Sequence, residues 1–261
     1  MPYTHNVTSI YGHYALFFKI PLKLFHGDFR AFVMMLAMVG TLAHVCAFLT
    51  LQLLVESRVL RIAGALAVAF PILGMRGGYY WQVWPHRVVF PMILLLYGAV
   101  ILKKNYRGFI STAGGYLICL LAVLWNTETG IFLAISWAAM YVSRYFSENR
   151  VKIGKLLINT AVHIIGIACN ILGAYGAVNL YNVLKHSPAN SMEDFLVPLL
   201  SSNYMEGILH LDMPLYPCAY MAVILSAYFG QHGLTFIRSK EWKNFGKISS
   251  AHVFRAGIGL I

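Results

Sequence analysis

Acidic side chains are scarce in this chain of 261 residues, which has 9 Asp and Glu against 20 Lys and Arg. Charged residues of both signs make up 11% of the sequence, whereas a soluble domain carries about 25%. Hydrophobic residues make up 59%, far more than an intrinsically disordered chain contains. The composition excludes both of these classes and predicts an integral membrane protein.

Cysteine is also sparse, with four residues placed singly in apolar segments: Cys46, Cys119, Cys169 and Cys218. This pattern excludes a disulfide scaffold and predicts small, buried, apolar side chains. The chain lacks Cys-x-x-Cys spacing and Cys/His pairs at zinc-ligand spacing, so we expect no structural metal site.

Nucleotide and hydrolase motifs are missing as well. Gly114-Gly115 lies inside an apolar run, and Gly77-Gly78 has no following Lys-Ser and no preceding strand, which excludes a P-loop and a dinucleotide fingerprint. GxSxG and HExxH do not occur. A net charge of +11 would suggest nucleic acid in a soluble protein, but here the basic residues lie in loops between apolar runs. Nucleic acid is therefore not an expected partner.

Long apolar stretches dominate what the chain does contain. A membrane-spanning helix needs roughly 20 mainly apolar residues, and seven stretches approach that length. An eighth begins near Ser250 and is cut at Ile261. The seven predicted spans are Ala31–Val55, Ile62–Gly74, Val88–Leu102, Phe109–Leu124, Ile131–Ser143, Leu156–Tyr181 and Leu215–Phe236.

Basic residues indicate the orientation of these spans. Alternate loops hold 13 of the 20 Lys and Arg, and the positive-inside rule predicts that these loops are cytoplasmic. They are Glu56–Arg61, Lys103–Arg107, Arg144–Lys155 and Arg238–Lys247. The intervening loops hold six of the nine acids and are predicted to lie outside.

The predicted fold is therefore all-α: a polytopic transmembrane helix bundle of about seven to eight spans. An interfacial helix is predicted over Tyr11–Phe25, with a break at Pro21. We expect an external loop over residues 1–30, a bundle core over 31–181, a second external loop over 182–214 and C-terminal spans over 215–261. The first loop has no preceding span or signal peptide, so the chain is expected to be a fragment or truncated form of a longer protein.

Glu128 is the only acidic residue between Glu56 and Glu148, and it lies in the turn Trp125–Gly130 between two apolar stretches. An ionisable side chain at the end of a span is costly unless it faces water, a partner or a substrate. One interpretation is a helix N-terminus, with Asn126 or Thr127 as the cap and Glu128 in the first turn. The other places Glu128 at the mouth of a cavity, where it binds a sugar hydroxyl or a cation, or pairs with Arg87. The two interpretations are compatible.

The predicted external loop before the span at Val88 is rich in aromatic and basic residues. Such a loop is typical of an interfacial aromatic belt. Guanidinium groups there also suit phosphate, and the rings could stack on a sugar or a lipid. The candidate binding residues of this loop are Arg76, Tyr80, Trp84, His86 and Arg87.

The second external segment is the only polar stretch long enough to close over a site. It contains Glu193-Asp194, Glu206, His210 and Asp212, and it predicts a short amphipathic helix around Met192–Leu200. A solvated loop is the other interpretation of this segment.

Three motifs together resemble GT-C-type polytopic glycosyltransferases, over roughly residues 10–135. They are Tyr11-Gly12 before the interfacial helix, the aromatic and Arg loop from Tyr80 to Arg87, and the turn Trp125–Gly130. Members of that superfamily use polyprenyl-phosphate sugars and act on the external face. The resemblance implies sugar transfer from a lipid-phosphate donor, with substrate bound by Tyr11, Arg76, Tyr80, Trp84, His86, Arg87, Asn126 and Glu128.

A carboxylate base would then activate an acceptor hydroxyl, while Arg groups stabilise the leaving lipid phosphate. In the family the catalytic acid lies early in the first external loop, after the first span. The corresponding part of this chain contains only Asp28, so the catalytic base stays unassigned, with Asp28 and Glu128 as candidates.

Other functions stay open from the sequence. A polymerase or ligase of lipid-linked polysaccharide would carry its chemistry in the second external segment. A transporter or flippase would need polar groups at mid-membrane, where His44 and His163 are the main candidates. The expected setting is a multi-pass protein of a bacterial plasma membrane, with the bilayer and a lipid-phosphate-linked sugar as partners. A divalent cation stays open as a cofactor, as does the oligomeric state.

Overall fold

The computed structural model describes residues 13–69, 86–106, 108–148 and 153–200. Within these ranges the chain forms eight helices and no strand, which confirms the all-α class. The helices are α1 Tyr14–Leu24, α2 Phe29–Leu54, α3 Arg58–Ala69, α4 Val89–Lys104, α5 Phe109–Trp125, α6 Thr127–Glu148, α7 Ile153–Leu184 and α8 Met192–Leu200.

Two of the described helices are long and apolar enough to cross a membrane: α2, and α7 over Gly154–Leu184. Their 26 and 31 residues correspond to lengths of about 39 and 46 Å, against about 30 Å for the hydrocarbon core of a bilayer. Only 22% and 11% of their most apolar windows are buried, whereas the core helix of a soluble domain is mostly buried. Two exposed apolar helices of this length suit a lipid environment.

The other predicted spans that fall on described residues correspond to helices that do not reach this standard. Helix α5 is apolar but has 17 residues, or about 26 Å. Helices α3 and α4 have 12 and 16 residues. Six of the seven or eight predicted spans fall wholly or partly on described residues. Only two of these six correspond to candidate membrane-spanning helices. The end of the second predicted span, the span Leu215–Phe236 and the final segment lie outside the described residues.

The chain divides into two compact units. The first comprises Met1–Ile135 and Gly166–Leu199, and the second comprises Ser136–Ile165 and Leu200–Ile261. In the first unit, α4 packs along both α2 and α5, α3 packs against α2, and α1 lies against α2 and α5.

Helices α4 and α5 of the first unit run antiparallel. The Tyr97 hydroxyl donates to the Ser111 carbonyl at 3.1 Å, which joins the second half of α4 to the start of α5. At the other end of these two helices the Phe90 and Trp125 rings lie 5.8 Å apart, which joins the start of α4 to the end of α5. Phe18 of α1 contacts Phe32 near the start of α2, so the first turns of α2 and α4 and the last turn of α5 lie at one end.

The helix predicted over Tyr11–Phe25 is present as α1 over Tyr14–Leu24, but the predicted break at Pro21 is wrong. Pro21 lies inside the helix, and the Phe25 N–H donates to the Pro21 carbonyl at 3.2 Å. Proline removes one backbone donor, and this helix is held by its packing as well as by its own hydrogen bonds. Phe17 and Phe18 bind it to Trp125, so one missing donor does not end it.

Candidate functional site

Trp125, the last residue of α5, is the centre of an aromatic cluster at this end of the first unit. It is 4% exposed, and its indole N–H donates to the His86 carbonyl oxygen at 2.7 Å. Its ring lies 5.4 to 6.0 Å from five others: Tyr14, Phe17, Phe18, His86 and Phe90. One side chain therefore fixes α1 and the start of α4 against the end of α5.

Asn126 follows directly and makes two different hydrogen bonds. Its Oδ1 accepts the Thr129 backbone N–H at 2.8 Å, so Asn126 is the one of the two predicted candidates that caps α6. Its Nδ2 lies 3.0 Å from His86 Nε2. Because the cap requires Oδ1 on the Thr129 side, the amide must present a donor to His86, and Nε2 must accept.

The neighbours of these two buried residues form an ion pair. Arg87 Nη2 lies 3.0 Å from Glu128 Oε2. The Arg87 side chain is 35% exposed and that of Glu128 is 16% exposed, so both are accessible to solvent. A pair this exposed contributes about 0–1 kcal/mol to stability, which makes its accessible charge more important than its strength. Glu128 also lies in the first turn of α6, where the helix dipole favours a negative charge.

Gly130 explains why the turn Trp125–Gly130 ends in glycine. A Cβ atom at this position would lie 2.1 Å from Val123 N and 2.4 Å from Val123 Cα. The first turn of α6 therefore packs directly on the backbone of the last turn of α5. This close approach holds Glu128 near the end of α5 and, through it, near Arg87.

His13 and Tyr14 also belong to the site, although the sequence did not single them out. The His13 backbone N–H donates to Leu124 O at 3.1 Å, and the Tyr14 ring meets the His86 ring edge-on at 4.7 Å. The His13 ring stacks on Phe195 of α8 at 6.0 Å. Burial lowers the pKa of His13 to about 4, so it is neutral at pH 7. Their position directly after the Tyr11-Gly12 motif is the signal that could have indicated them.

The segment predicted to form the second external loop contributes α8, with the bounds predicted for that helix. The Asn190 backbone N–H donates to Asn179 Oδ1 at 2.7 Å, and the Tyr175 hydroxyl donates to Asn190 O at 2.8 Å, which fixes the chain against the end of α7. Ser191 and Asp194 then cap α8 reciprocally. Phe195 is buried between His13 and Tyr175, so α8 packs beside the aromatic cluster.

The structure thus brings together four of the predicted binding residues: His86, Arg87, Asn126 and Glu128. With Trp125 they are called here the polar-aromatic cluster. The other four predicted binding residues lie outside the described residues: Tyr11, Arg76, Tyr80 and Trp84. Asp28, the second catalytic candidate, is exposed and accepts the Arg30 backbone N–H at 2.9 Å as the N-cap of α2.

The cluster offers an accessible guanidinium and an accessible carboxylate, and the residues beside them are buried. A guanidinium can hold phosphate, and a carboxylate can accept a hydrogen bond from a sugar hydroxyl. Among the described residues, no three His, Cys, Asp or Glu side chains come close enough to hold a metal ion. Comparisons with protein-family models, curated proteins and solved structures found no match to this chain.

Proposed function

We propose that this chain is a membrane-embedded glycosyltransferase of the GT-C type, transferring a sugar from a polyprenyl-phosphate donor on the non-cytoplasmic face in envelope glycan assembly. The observation that carries the proposal is the polar-aromatic cluster itself. Two motifs separated by some forty residues contribute His86 and Asn126 to one hydrogen bond. Their neighbours Arg87 and Glu128 form the adjacent ion pair, and α1 follows the third motif.

In the proposed reaction Arg87 stabilises the lipid phosphate as the glycosidic bond to it breaks. A guanidinium has five N–H donors, so it can contact a phosphate oxygen while another donor stays on Glu128. Glu128 holds Arg87 in place and accepts a hydrogen bond from a substrate hydroxyl. The base that takes the acceptor proton stays unassigned, since Glu128 is paired and Asp28 caps a helix.

We further propose that the protein is multi-pass and lies in a bacterial plasma membrane, with the cluster outside. Helices α2 and α7 suit a bilayer, and α4 and α5 run in opposite directions. Arg58 and Arg61 follow the end of α2, and Lys103 and Lys104 end α4, so four basic residues lie at the end opposite the cluster. The positive-inside rule would place that end in the cytoplasm.

The test is sugar transfer in membranes that contain the full chain, with a panel of labelled polyprenyl-phosphate hexoses as donors. Arg87→Gln and Glu128→Gln should each lower the rate about 100-fold or more, the effect of removing one group that stabilises transition-state charge. Arg61→Gln is the matched control, because Arg61 bonds Gln52 at the other end of α2 and should leave transfer unchanged.

Arg87→Lys refines the result. If Arg87 holds phosphate by paired hydrogen bonds, the lysine variant should recover only part of the rate, because an ammonium is a point charge. Equal rates in wild type, Arg87→Gln and Glu128→Gln would rule out a role for the ion pair. Failure of every donor to label any product would rule out the reaction proposed.

A second function is favoured by the position of α8. A polymerase or ligase of lipid-linked polysaccharide would use the second external segment, and Phe195 of this segment packs on His13 beside the cluster. The two functions differ in product. Transfer of single sugars supports the glycosyltransferase, whereas transfer of a preassembled glycan block from its lipid supports the polymerase or ligase.

A further inference from the structure

Lys19 joins α1 to the last turn of α7 on the side of α1 that faces away from Trp125. Its ammonium donates a hydrogen bond to the Tyr181 hydroxyl and lies 5.0 Å from the centre of the Tyr181 ring. The two residues are 162 positions apart in the sequence. The partner of Lys19 is a neutral phenol, so the hydrogen bond does not cancel the positive charge.

Two more ammonium groups share these helix faces. Lys23 lies one turn after Lys19 on α1, and Lys185 lies one turn after Tyr181, with its backbone N–H bonded to Tyr181 O at 3.1 Å. Lys19, Lys23 and Lys185 are all exposed. Among the described residues no carboxylate lies within 4.0 Å of any of the three. These four residues, Lys19, Lys23, Tyr181 and Lys185, form what is called here the lysine surface.

Large apolar side chains follow the lysine surface along the chain. Leu24 is 73% exposed, Phe25 is 57% exposed and Phe29 is 73% exposed. Exposed apolar groups next to lysines are the pattern of an element at the boundary between headgroups and acyl chains, where lysine stems lie along apolar surface and their ammonium groups reach the polar layer. A ligand that suits this surface carries both a negative charge and an apolar tail.

We propose that the lysine surface binds the headgroup phosphate of an anionic phospholipid of the surrounding bilayer. The ammonium groups neutralise the phosphate, and the Tyr181 hydroxyl can turn its O–H toward a phosphate oxygen because Lys19 supplies the hydrogen bond that this hydroxyl accepts. A zwitterionic headgroup carries its own ammonium, which three lysines repel. This site is separate from the polar-aromatic cluster and does not depend on the function proposed for it.

The experiment uses the full chain in phosphatidylcholine nanodiscs, with lipid bound to the released protein counted by native mass spectrometry as phosphatidylglycerol is added. Wild type should retain phosphatidylglycerol selectively. Each lysine near a charged membrane surface contributes about fivefold to affinity, so Lys19→Gln with Lys23→Gln should lose about 30-fold. The matched control is Lys103→Gln with Lys104→Gln, at the C-terminal end of α4, which should lose less phosphatidylglycerol affinity than the variant at Lys19 and Lys23.

Two single variants keep the test independent of the folding of α1. Lys185→Gln changes an exposed side chain beyond the end of α7 and should lose about fivefold. Tyr181→Phe keeps the ring and should lose less phosphatidylglycerol affinity than Lys185→Gln. Unchanged phosphatidylglycerol binding in Lys185→Gln and in the double variant would overturn the proposal. It would also be overturned if phosphatidylcholine, inorganic phosphate or a polyprenyl phosphate displaced phosphatidylglycerol at equal concentration.

Discussion

Asn126 illustrates how much one buried side chain can determine. It caps α6 through Oδ1 and bonds His86 through Nδ2, and it is 3% exposed. Loss of a cap costs about 1 kcal/mol, and a buried acceptor left without its donor costs about 1–3 kcal/mol. The two contributions can be separated, because serine caps a helix as well as asparagine does but cannot reach a second partner.

Asn126→Ala should therefore lower the free energy of unfolding by about 2–4 kcal/mol, and Asn126→Ser by about 1–3 kcal/mol. The measurement is chemical unfolding in mixed micelles, followed by tryptophan fluorescence. A serine variant as stable as wild type would show that the contact with His86 contributes nothing. Equal losses of stability in Asn126→Ala and Asn126→Ser would show that the cap contributes nothing.

His13 predicts a dependence of stability on pH. Its pKa is about 4 in the folded chain, against 6.5 for an unperturbed histidine, because burial disfavours the charged form. Between these values the unfolded chain binds a proton and the folded chain does not, so stability falls as the pH drops from 6.5 toward 4. The loss is on the order of 3 kcal/mol for a shift of this size.

His13→Phe keeps a ring over Phe195 and should reduce the loss of stability between pH 6.5 and pH 4. The control is His186→Asn, because His186 is exposed and asparagine tolerates its positive φ of 56°. Unfolding midpoints measured across this pH range compare the two variants with wild type. An unchanged pH dependence in His13→Phe would show that another group is responsible.

Among the described helix contacts, the one between α5 and α6 tolerates added side-chain volume least. The atoms that a Cβ of Gly130 would meet belong to the backbone of Ala122 and Val123, which cannot rotate away as a side chain does. Gly130→Ala must therefore separate the two helices, and overpacking of this kind costs about 1–3 kcal/mol or more. The separation would also move Glu128 away from Arg87.

The matched control is Gly176→Ala in α7, where a Cβ would meet nothing within 4 Å. Alanine is the better helix former by about 0.5–1 kcal/mol, so this variant should be as stable as wild type or more stable. Thermal unfolding midpoints of the two variants give the comparison. A stable Gly130→Ala variant with normal activity would contradict the packing described for the turn.

For the complete chain, the orientation in the membrane decides whether the cluster can meet an external substrate. We expect Lys185 on the outside with the cluster, and Lys103 in the cytoplasm. In a background without native cysteines, Lys185→Cys should react in intact cells with a thiol reagent that cannot cross membranes. Lys103→Cys should react only after the cells are permeabilised.

The reverse labelling pattern would place the cluster in the cytoplasm and refute transfer from an external donor. The lysine surface would then face the cytoplasmic leaflet, where its attraction to anionic lipid would persist. Labelling therefore distinguishes the proposed function from the proposed lipid site.

Local features of the sequence predicted the helices well where the chain carries clear helix start and stop signals. The bounds of α4, α5 and α8 agree with prediction to within two residues, because Gly108, Asn105 and Ser191 mark their ends. Helices α6 and α7 extend several residues beyond their predicted apolar stretches. Hydropathy shows where a helix is apolar, whereas caps and hydrogen bonds determine where it ends.

The amino-acid sequence alone sufficed for the helical class, the apolar character of α2 and α7 and the cap before α6, since each depends on neighbouring residues. Only the tertiary structure could bring His86 to Asn126, or Lys19 to Tyr181. The pairing of helices depends on side-chain shape and on close approaches such as that of Gly130 to Val123. Hydrophobic periodicity gives the face that a helix buries and leaves its partner undetermined.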